Sequence, residues 1–279
     1  MGPRIVPLRP AGIGVAVLLA QLSDTHLTTG VLAAAPAARA HQALARVQAL
    51  RPRPDCLVIT GDLADHGQAA EYEAALALLE GLDLPVHVVP GNHDHAPRLL
   101  QALAGAGYAR ASEAEPGRCY YRVDYPGLRL LCCDSSVPGR DDGELGPTQL
   151  AWLDRELGRD PDVPAVLAMH HHPVPSGIAF MDTIMLSDAD ALAAVLESHR
   201  PPTRVLTGHL HRPSATMFAG SLVASAPSTY RQVLLDLDPS RPLAFVDEPP
   251  GMLLHRLQGP AAVTHLLPVG HGGPPLGAL

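Results

Sequence analysis

The run Asp55-Cys56-Leu57-Val58-Ile59-Thr60-Gly61-Asp62-Leu63-Ala64-Asp65 holds the pattern from which the fold can be read. Asp55–Thr60 predicts a short apolar strand, separated from the preceding helical stretch by Arg51-Pro52-Arg53-Pro54, where proline ends a helix. Gly61 lets the backbone turn sharply. Asp62 then sets a carboxylate directly beyond the turn, where its two oxygens can bridge two cations.

The same order, strand and then polar cluster, recurs along the chain. Val15–Leu22 leads into Asp24-Thr25-His26, and Pro85–Val89 into Gly91-Asn92-His93-Asp94. Ala165–Ala168 leads into His170-His171-His172-Pro173, and Thr203–Thr207 into Gly208-His209-Leu210-His211. Ligand sites of open α/β sheets gather beyond the carboxyl ends of strands. A lone histidine or aspartate at any of these places is more often a core or surface residue. Five clusters in this order, each behind a strand, read as one site.

Helical spacing covers Ala34–Leu50, Ala69–Leu82, Arg98–Ala106, Thr148–Gly158 and Asp188–Ser198, and Gly127–Cys133 adds a strand. From Met217 the texture changes to short strands: Leu222–Ala226, Gln232–Asp236, Met252–Leu257 and Val263–Pro268. A βα alternation followed by a β-rich end predicts a sandwich with helices outside. Without an internal repeat or a long linker, one domain over 13–269 is the economical expectation. Residues 1–12 read as a loose leader and 270–279 as a Gly/Pro tail.

The chain has 279 residues and a net charge of -8, which speaks against a broad basic surface for a nucleic acid polymer. A small anionic substrate remains compatible, because bound cations supply local positive charge. All 20 cationic residues are arginine. That removes a Walker-type lysine and a Schiff-base lysine from consideration. Cys56, Cys119, Cys132 and Cys133 lack CxxC spacing and read as reduced core residues, which points to the cytoplasm. The apolar run from Ala11 to Ala20 is too short to span a bilayer, so no membrane partner is expected.

The donors have a consistent chemistry. Asp24 and His26, two residues apart at a strand end, are expected to point the same way along a pleat of period two. Asn92 offers a neutral oxygen, which limits negative charge and keeps a cation Lewis-acidic. Mixed nitrogen and oxygen donors without thiolate suit two divalent ions of the Fe, Mn, Zn or Co kind.

These motifs resemble the calcineurin-like metallophosphoesterases, and most of all their bacterial class III cyclic nucleotide phosphodiesterase and glycerophosphodiesterase branch. Glu71-Tyr72, Cys133-Asp134-Ser135, Gly143-Glu144-Leu145, Gln149–Leu153 and Pro249-Pro250-Gly251 extend the likeness over roughly residues 15–268. The resemblance implies an α/β, four-layer αββα sandwich with a dinuclear metal site at the strand ends. One metal falls to Asp24, His26 and His211, the other to Asn92, His170 and His209, with Asp62 bridging. His93 is implied as the catalytic group facing the phosphate, not as a ligand. Asp65 and Asp94 are expected to orient histidines or close turns. His171 and His172 are expected in the pocket wall or behind the ligands, and His66 and His95 where the branch varies.

The implied reaction is hydrolysis of a small phosphodiester by a metal-activated water, with 3',5'-cyclic nucleotides first and glycerophosphodiesters second. A phosphomonoesterase or nucleotide pyrophosphatase on the same fold is the rival enzyme, and an inactive scaffold the rival of another class. Pro173–Leu186, beside the fourth motif, is expected to form a cap or dimer contact, and the resemblance implies a homodimer.

Overall fold

Strand and helix alternate in the computed structural model, which describes residues 16–200, 202, 204–258 and 261–270. The expected leader, and the expected tail beyond residue 270, lie outside the described residues. In chain order the elements are β1 (Val17–Leu22), α1 (Ala34–Ala49), β2 (Cys56–Thr60), α2 (Ala69–Leu79), β3 (Val86–Val89) and α3 (Ala96–Leu103). Next come β4 (Tyr121–Tyr125), β5 (Leu128–Cys132), α4 (Gly146–Arg159), β6 (Ala165–Ala168), α5 (Ala179–Asp182), α6 (Ala189–Glu197) and β7 (Arg204–Thr207). The chain then runs through β8 (Ser214–Phe218), β9 (Ser221–Ser225), β10 (Gln232–Val233), β11 (Phe245–Val246), β12 (Gly251–Gln258) and β13 (Ala261–Pro268).

One sheet has the order β13-β12-β1-β2-β3 and the other β4-β5-β6-β7-β9-β8; β10 and β11 pair separately. Strands β1, β2 and β3 run parallel, as do β5, β6, β7 and β9. Side-chain alternation shows how the layers stack. Leu130, Cys132, Val166, Ala168 and Leu206 pack into a core shared with the first sheet and with α1, α2 and α3. Their neighbours Leu131, Cys133, Leu167, Met169 and Val205 face the opposite way, against Leu153, Leu157, Leu192 and Leu196 of α4 and α6. Helices therefore cover the outer faces of two sheets packed on each other, the expected αββα order.

The two sheets are also pinned by polar contacts near the motif ends of their strands. Gln21 of β1 donates to the Thr207 carbonyl of β7 at 2.9 Å and to Thr60 Oγ1 of β2 at 3.0 Å. His255 of β12 lies 3.0 Å from Gln21 Oε1 and 2.9 Å from Thr264 Oγ1. It is fully buried, and burial holds its ring neutral, with its pKa lowered to about 3. Gly208 is needed here for space, because a Cβ at that position would overlap Ser23 Oγ and crowd the Thr60 carbonyl.

The sequence signal missed three strands, the two-residue β11 and the longer β4 and β8, which are the two edges of the six-stranded sheet. β8 is exposed along nearly its whole length, and β4 carries Arg122 and Asp124. An edge strand with a wet face needs no apolar run, so periodicity alone does not reveal it. Helix α3 starts at Ala96, ahead of the expected Arg98, because His95 caps it and Pro97 fits its first turn.

Candidate metal centre

The five motifs converge because each leaves a strand at the same end of the sandwich. Asp24, Asp62 and Asn92 follow the parallel strands β1, β2 and β3; His170 and His209 follow the parallel strands β6 and β7. Asp62 Oδ2 lies 3.6 Å from His26 Nε2 on one side and 3.4 Å from His170 Nε2 on the other. Around the first side, His26 Nε2 is 3.0 Å from His211 Nε2, and His211 Nε2 is 3.4 Å from Asp24 Oδ1. Around the second, His170 Nε2 is 3.1 Å from Asn92 Oδ1 and 3.2 Å from His209 Nδ1. Two four-donor groups thus share one carboxylate, with Asp62 between them.

The backbone that presents these donors is unusual. Asp24, His26, Asp62, His209 and His211 all have left-handed φ values, between 45° and 66°. Such values are uncommon for residues with a Cβ and cost of order 1–3 kcal/mol each. The expectation that Asp24 and His26 share a direction through the strand pleat is therefore corrected. β1 ends at Leu22, and the tight left-handed turns beyond it, not the pleat, aim the two side chains. Hydrogen bonds hold those turns: the Asp24 amide donates to the Gly61 carbonyl, and the His26 amide to the Asp62 carbonyl.

Every ring in the two groups has its far nitrogen tied to an oxygen. His26 Nδ1 lies 3.0 Å from Asp65 Oδ1, His170 Nδ1 2.8 Å from the Thr60 carbonyl, His209 Nε2 3.0 Å from the Ile184 carbonyl, and His211 Nδ1 2.9 Å from the Arg231 carbonyl. Each oxygen can take an outward ring N–H and so leave the inner nitrogen to face a cation, the arrangement that a metal-ligating histidine needs. Burial pushes the pKa of His26, His209 and His211 down, so their rings favour the neutral form that a cation binds. For His170 burial acts the same way, but the carboxylates of Asp62 and Asp24 outweigh it and raise the ring to about 9. The donor set fits a pair of divalent cations. Two carboxylates would leave such a pair with net positive charge, able to attract a phosphate anion to an acidic protein.

Of the three adjacent histidines only His170 faces Asn92 and Asp62. His171 also comes close to His170 and His209, yet its nitrogens are committed: Nδ1 is 2.8 Å from Ser135 Oγ and Nε2 3.1 Å from the Asp141 carbonyl. His172 is buried and stacks on His209, 3.8 Å from Asp182. Pro173–Leu186, expected as a cap or dimer contact, reaches the centre through the Ile184 carbonyl on His209.

Asp65, His93 and Asp94 behave differently from one another. Asp65 orients His26, and its carbonyl takes the His93 Nδ1 proton side at 2.8 Å. The His93 side chain is 43% exposed, and its ring stands edge-on to that of His26 with centroids 4.7 Å apart, beside the centre. Among the described residues, Asp94 has no hydrogen bond or ion pair with a histidine side chain. Its carboxylate accepts from the amides of Leu63, Ala64 and Gly91 and from the Tyr72 hydroxyl, closing the two loops that carry Asp62 and Asn92. Glu71, the partner of Tyr72 in sequence, accepts from the amides of His66 and Gln68 in the same loop. His66 is exposed and 3.1 Å from Glu71; His95 caps α3 and accepts from the Arg98 amide. Backbone carbonyls such as those of Ile184 and Arg231 carry no side-chain signal, so no residue pattern pointed to their part.

A helix-flanked double sheet with this donor set at its strand ends is the architecture of a metal-dependent phosphoesterase. The chain belongs to the calcineurin-like phosphoesterase family, whose model matches residues 17–213. It is 32% identical to the glycerophosphodiester phosphodiesterase GpdQ of Enterobacter lignolyticus, over 91% of this chain and 92% of that one. It is also 32% identical to the 3',5'-cyclic adenosine monophosphate phosphodiesterase CpdA of Escherichia coli, over 76% of each. Among solved structures, a dimetal phosphatase from Danio rerio superposes with a TM-score of 0.61 at 16% identity, covering 91% of this chain and 99% of that one. This last likeness concerns the fold.

Proposed function

We propose that the protein is a phosphodiesterase for small diesters that uses two divalent ions, with 3',5'-cyclic nucleotides as its main substrates. One observation carries the reaction class: Asp62 Oδ2 sits between two complete donor groups, Asp24–His26–His211 and Asn92–His170–His209. Held there, two cations would lower the pKa of a water and neutralise phosphoryl oxygens. The chain's own residues supply the rest. Asn92 adds a donor without charge, and Asp65 keeps the His26 lone pair inward. His93, anchored at Nδ1 by the Asp65 carbonyl, holds a proton at Nε2 for the departing alkoxide. The charges of Asp62 and Asp65 and that hydrogen bond outweigh burial and raise the His93 pKa, which favours its protonated form.

The relatives named above divide between a glycerophosphodiester and a cyclic nucleotide enzyme, which supports the diester class over monoesters. The buried, unpaired cysteines support a reducing, cytoplasmic setting, and no helix among the described residues is long and apolar enough to cross a membrane. The test is hydrolysis of bis(p-nitrophenyl) phosphate against p-nitrophenyl phosphate, with manganese and with chelator, followed by cyclic AMP. Metal-dependent preference for the diester, lost in Asn92→Ala, is expected. A preference for the monoester would move the protein to the phosphatases, and activity undiminished by chelator would sink the two-metal reading.

A further inference from the structure

The wall beside His211 holds a cation and an aromatic ring that the reaction itself does not use. The Phe245 ring lies 5.7 Å from the His211 ring and is 45% exposed. The guanidinium carbon of Arg231 is 4.2 Å from the centroid of Phe245 and 5.4 Å from that of Tyr230. The Arg231 side chain is exposed, and among the described residues no carboxylate is paired with it. Its placement is enforced from both sides in the chain. The Arg231 carbonyl holds His211 Nδ1 at 2.9 Å, and the β10–β11 pairing brings Phe245 opposite Val233. By contrast, Arg212 nearby is spent on Glu248 and the Val233 carbonyl.

We infer that Arg231 and Phe245 form a platform on which the base of a nucleotide stacks while its phosphate occupies the metal centre. Resting on the phosphodiesterase reading above, this assigns the residues that recognise the non-reacting part of the substrate. The physical reasons are three. Guanidinium and benzyl groups both offer planar, weakly hydrated surfaces to a base, and a guanidinium laid on a ring is already ordered before the ligand arrives. The platform borders a residue of the metal centre, so a ligand can reach both at once. Finally, the Phe245 ring already carries the Arg231 guanidinium on one face, which disfavours a second cation there. A choline headgroup, which seeks a bare aromatic face, meets Arg231 instead.

Equilibrium binding to the full chain loaded with manganese tests this without relying on turnover. The probes are adenosine 5'-monophosphate and ribose 5-phosphate, which differ by the base. Stacking predicts that the nucleotide binds about tenfold more tightly. In Phe245→Leu and Arg231→Gln that ratio falls towards one, while the affinity for ribose 5-phosphate and the manganese content stay as in wild type. Arg231→Gln should also bind phosphocholine more tightly than wild type does. Equal affinities in the wild type, or a ratio unmoved by both variants, overturns the platform. Loss of affinity for both probes together overturns it too, since the residues would then serve the centre and not the base. A parallel turnover assay keeps the two readings apart: wild type that binds the nucleotide through the platform yet hydrolyses no cyclic AMP fails the substrate proposal alone.

Discussion

His26 and Asp65 are held together by a 3.0 Å contact between Nδ1 and Oδ1, and this contact decides which nitrogen of His26 faces Asp62. The hydrogen bond with His26 also holds the Asp65 carboxyl below its ordinary range, so Asp65 is an ionised acceptor at neutral pH.

Replacing Asp65 with Asn keeps the shape and weakens the acceptor. Manganese affinity is expected to fall about 10–100-fold, the usual effect of losing an outer-shell carboxylate. Metal titration by competition with a fluorescent chelator measures it. Unchanged affinity would show that Asp65 does not set the His26 tautomer.

His93→Gln separates chemistry from metal binding. Because His93 anchors on a backbone carbonyl and not on a donor of either group, metal content should stay the same. The turnover number for a diester with a poor leaving group should drop about 10²–10⁴-fold, and far less for p-nitrophenolate, which needs no proton. An equal loss with both leaving groups would rule out the proton-donor role.

Asp94→Ala removes the acceptor shared by Leu63, Ala64, Gly91 and Tyr72. Leaving those donors without a partner should cost about 2–4 kcal/mol in urea unfolding. Activity should fall as well, because the Asp62 and Asn92 loops lose their common brace. Full activity with reduced stability would mean that the loops hold position without it.

Stability should also fall in mild acid. His87 is buried, 2.6 Å from the Tyr125 hydroxyl, and burial together with the charge of Arg110 lowers its pKa to about 3. Below its unfolded value of about 6.5, the unfolded chain takes up a proton that the folded chain refuses. Its contribution is thus present above pH 6.5 and is lost as pH falls towards 3, at about 1.4 kcal/mol per pH unit. Denaturant unfolding from pH 7 to pH 4 should show a steeper slope than this, since the buried His255 behaves alike, and His87→Gln should reduce it by about 1.4 kcal/mol per pH unit. An identical slope in the variant would place the acid sensitivity elsewhere.

Much of this site is legible without a structure. Donor types, their order, and their position behind strands are local properties, because a strand end and a Gly-Asp or Gly-His turn are written in adjacent residues. What stayed hidden has physical causes. β4 and β8 are half-wet edges without an apolar run. The carbonyls of Thr60, Ile184 and Arg231, which aim three of the rings, belong to the backbone and so have no residue signature. Arg231 and Phe245 lie in a stretch with no motif, and only the fold brings them to His211.

The run His170-His171-His172 shows the division most clearly. Its residues alone determine that imidazole follows β6; which imidazole reaches Asp62 was decided by the tertiary structure. β6 is covered on both faces, so its side chains are apolar throughout and no alternation tells inside from outside. Packing of the other sheet against Val166 and Ala168 makes theirs the inter-sheet face. His170 continues that face towards Asp62, while His171, one residue on, turns to Ser135 and Asp141. A strand's period of two offers two equivalent faces, and only a second sheet packed on one of them makes that face the site.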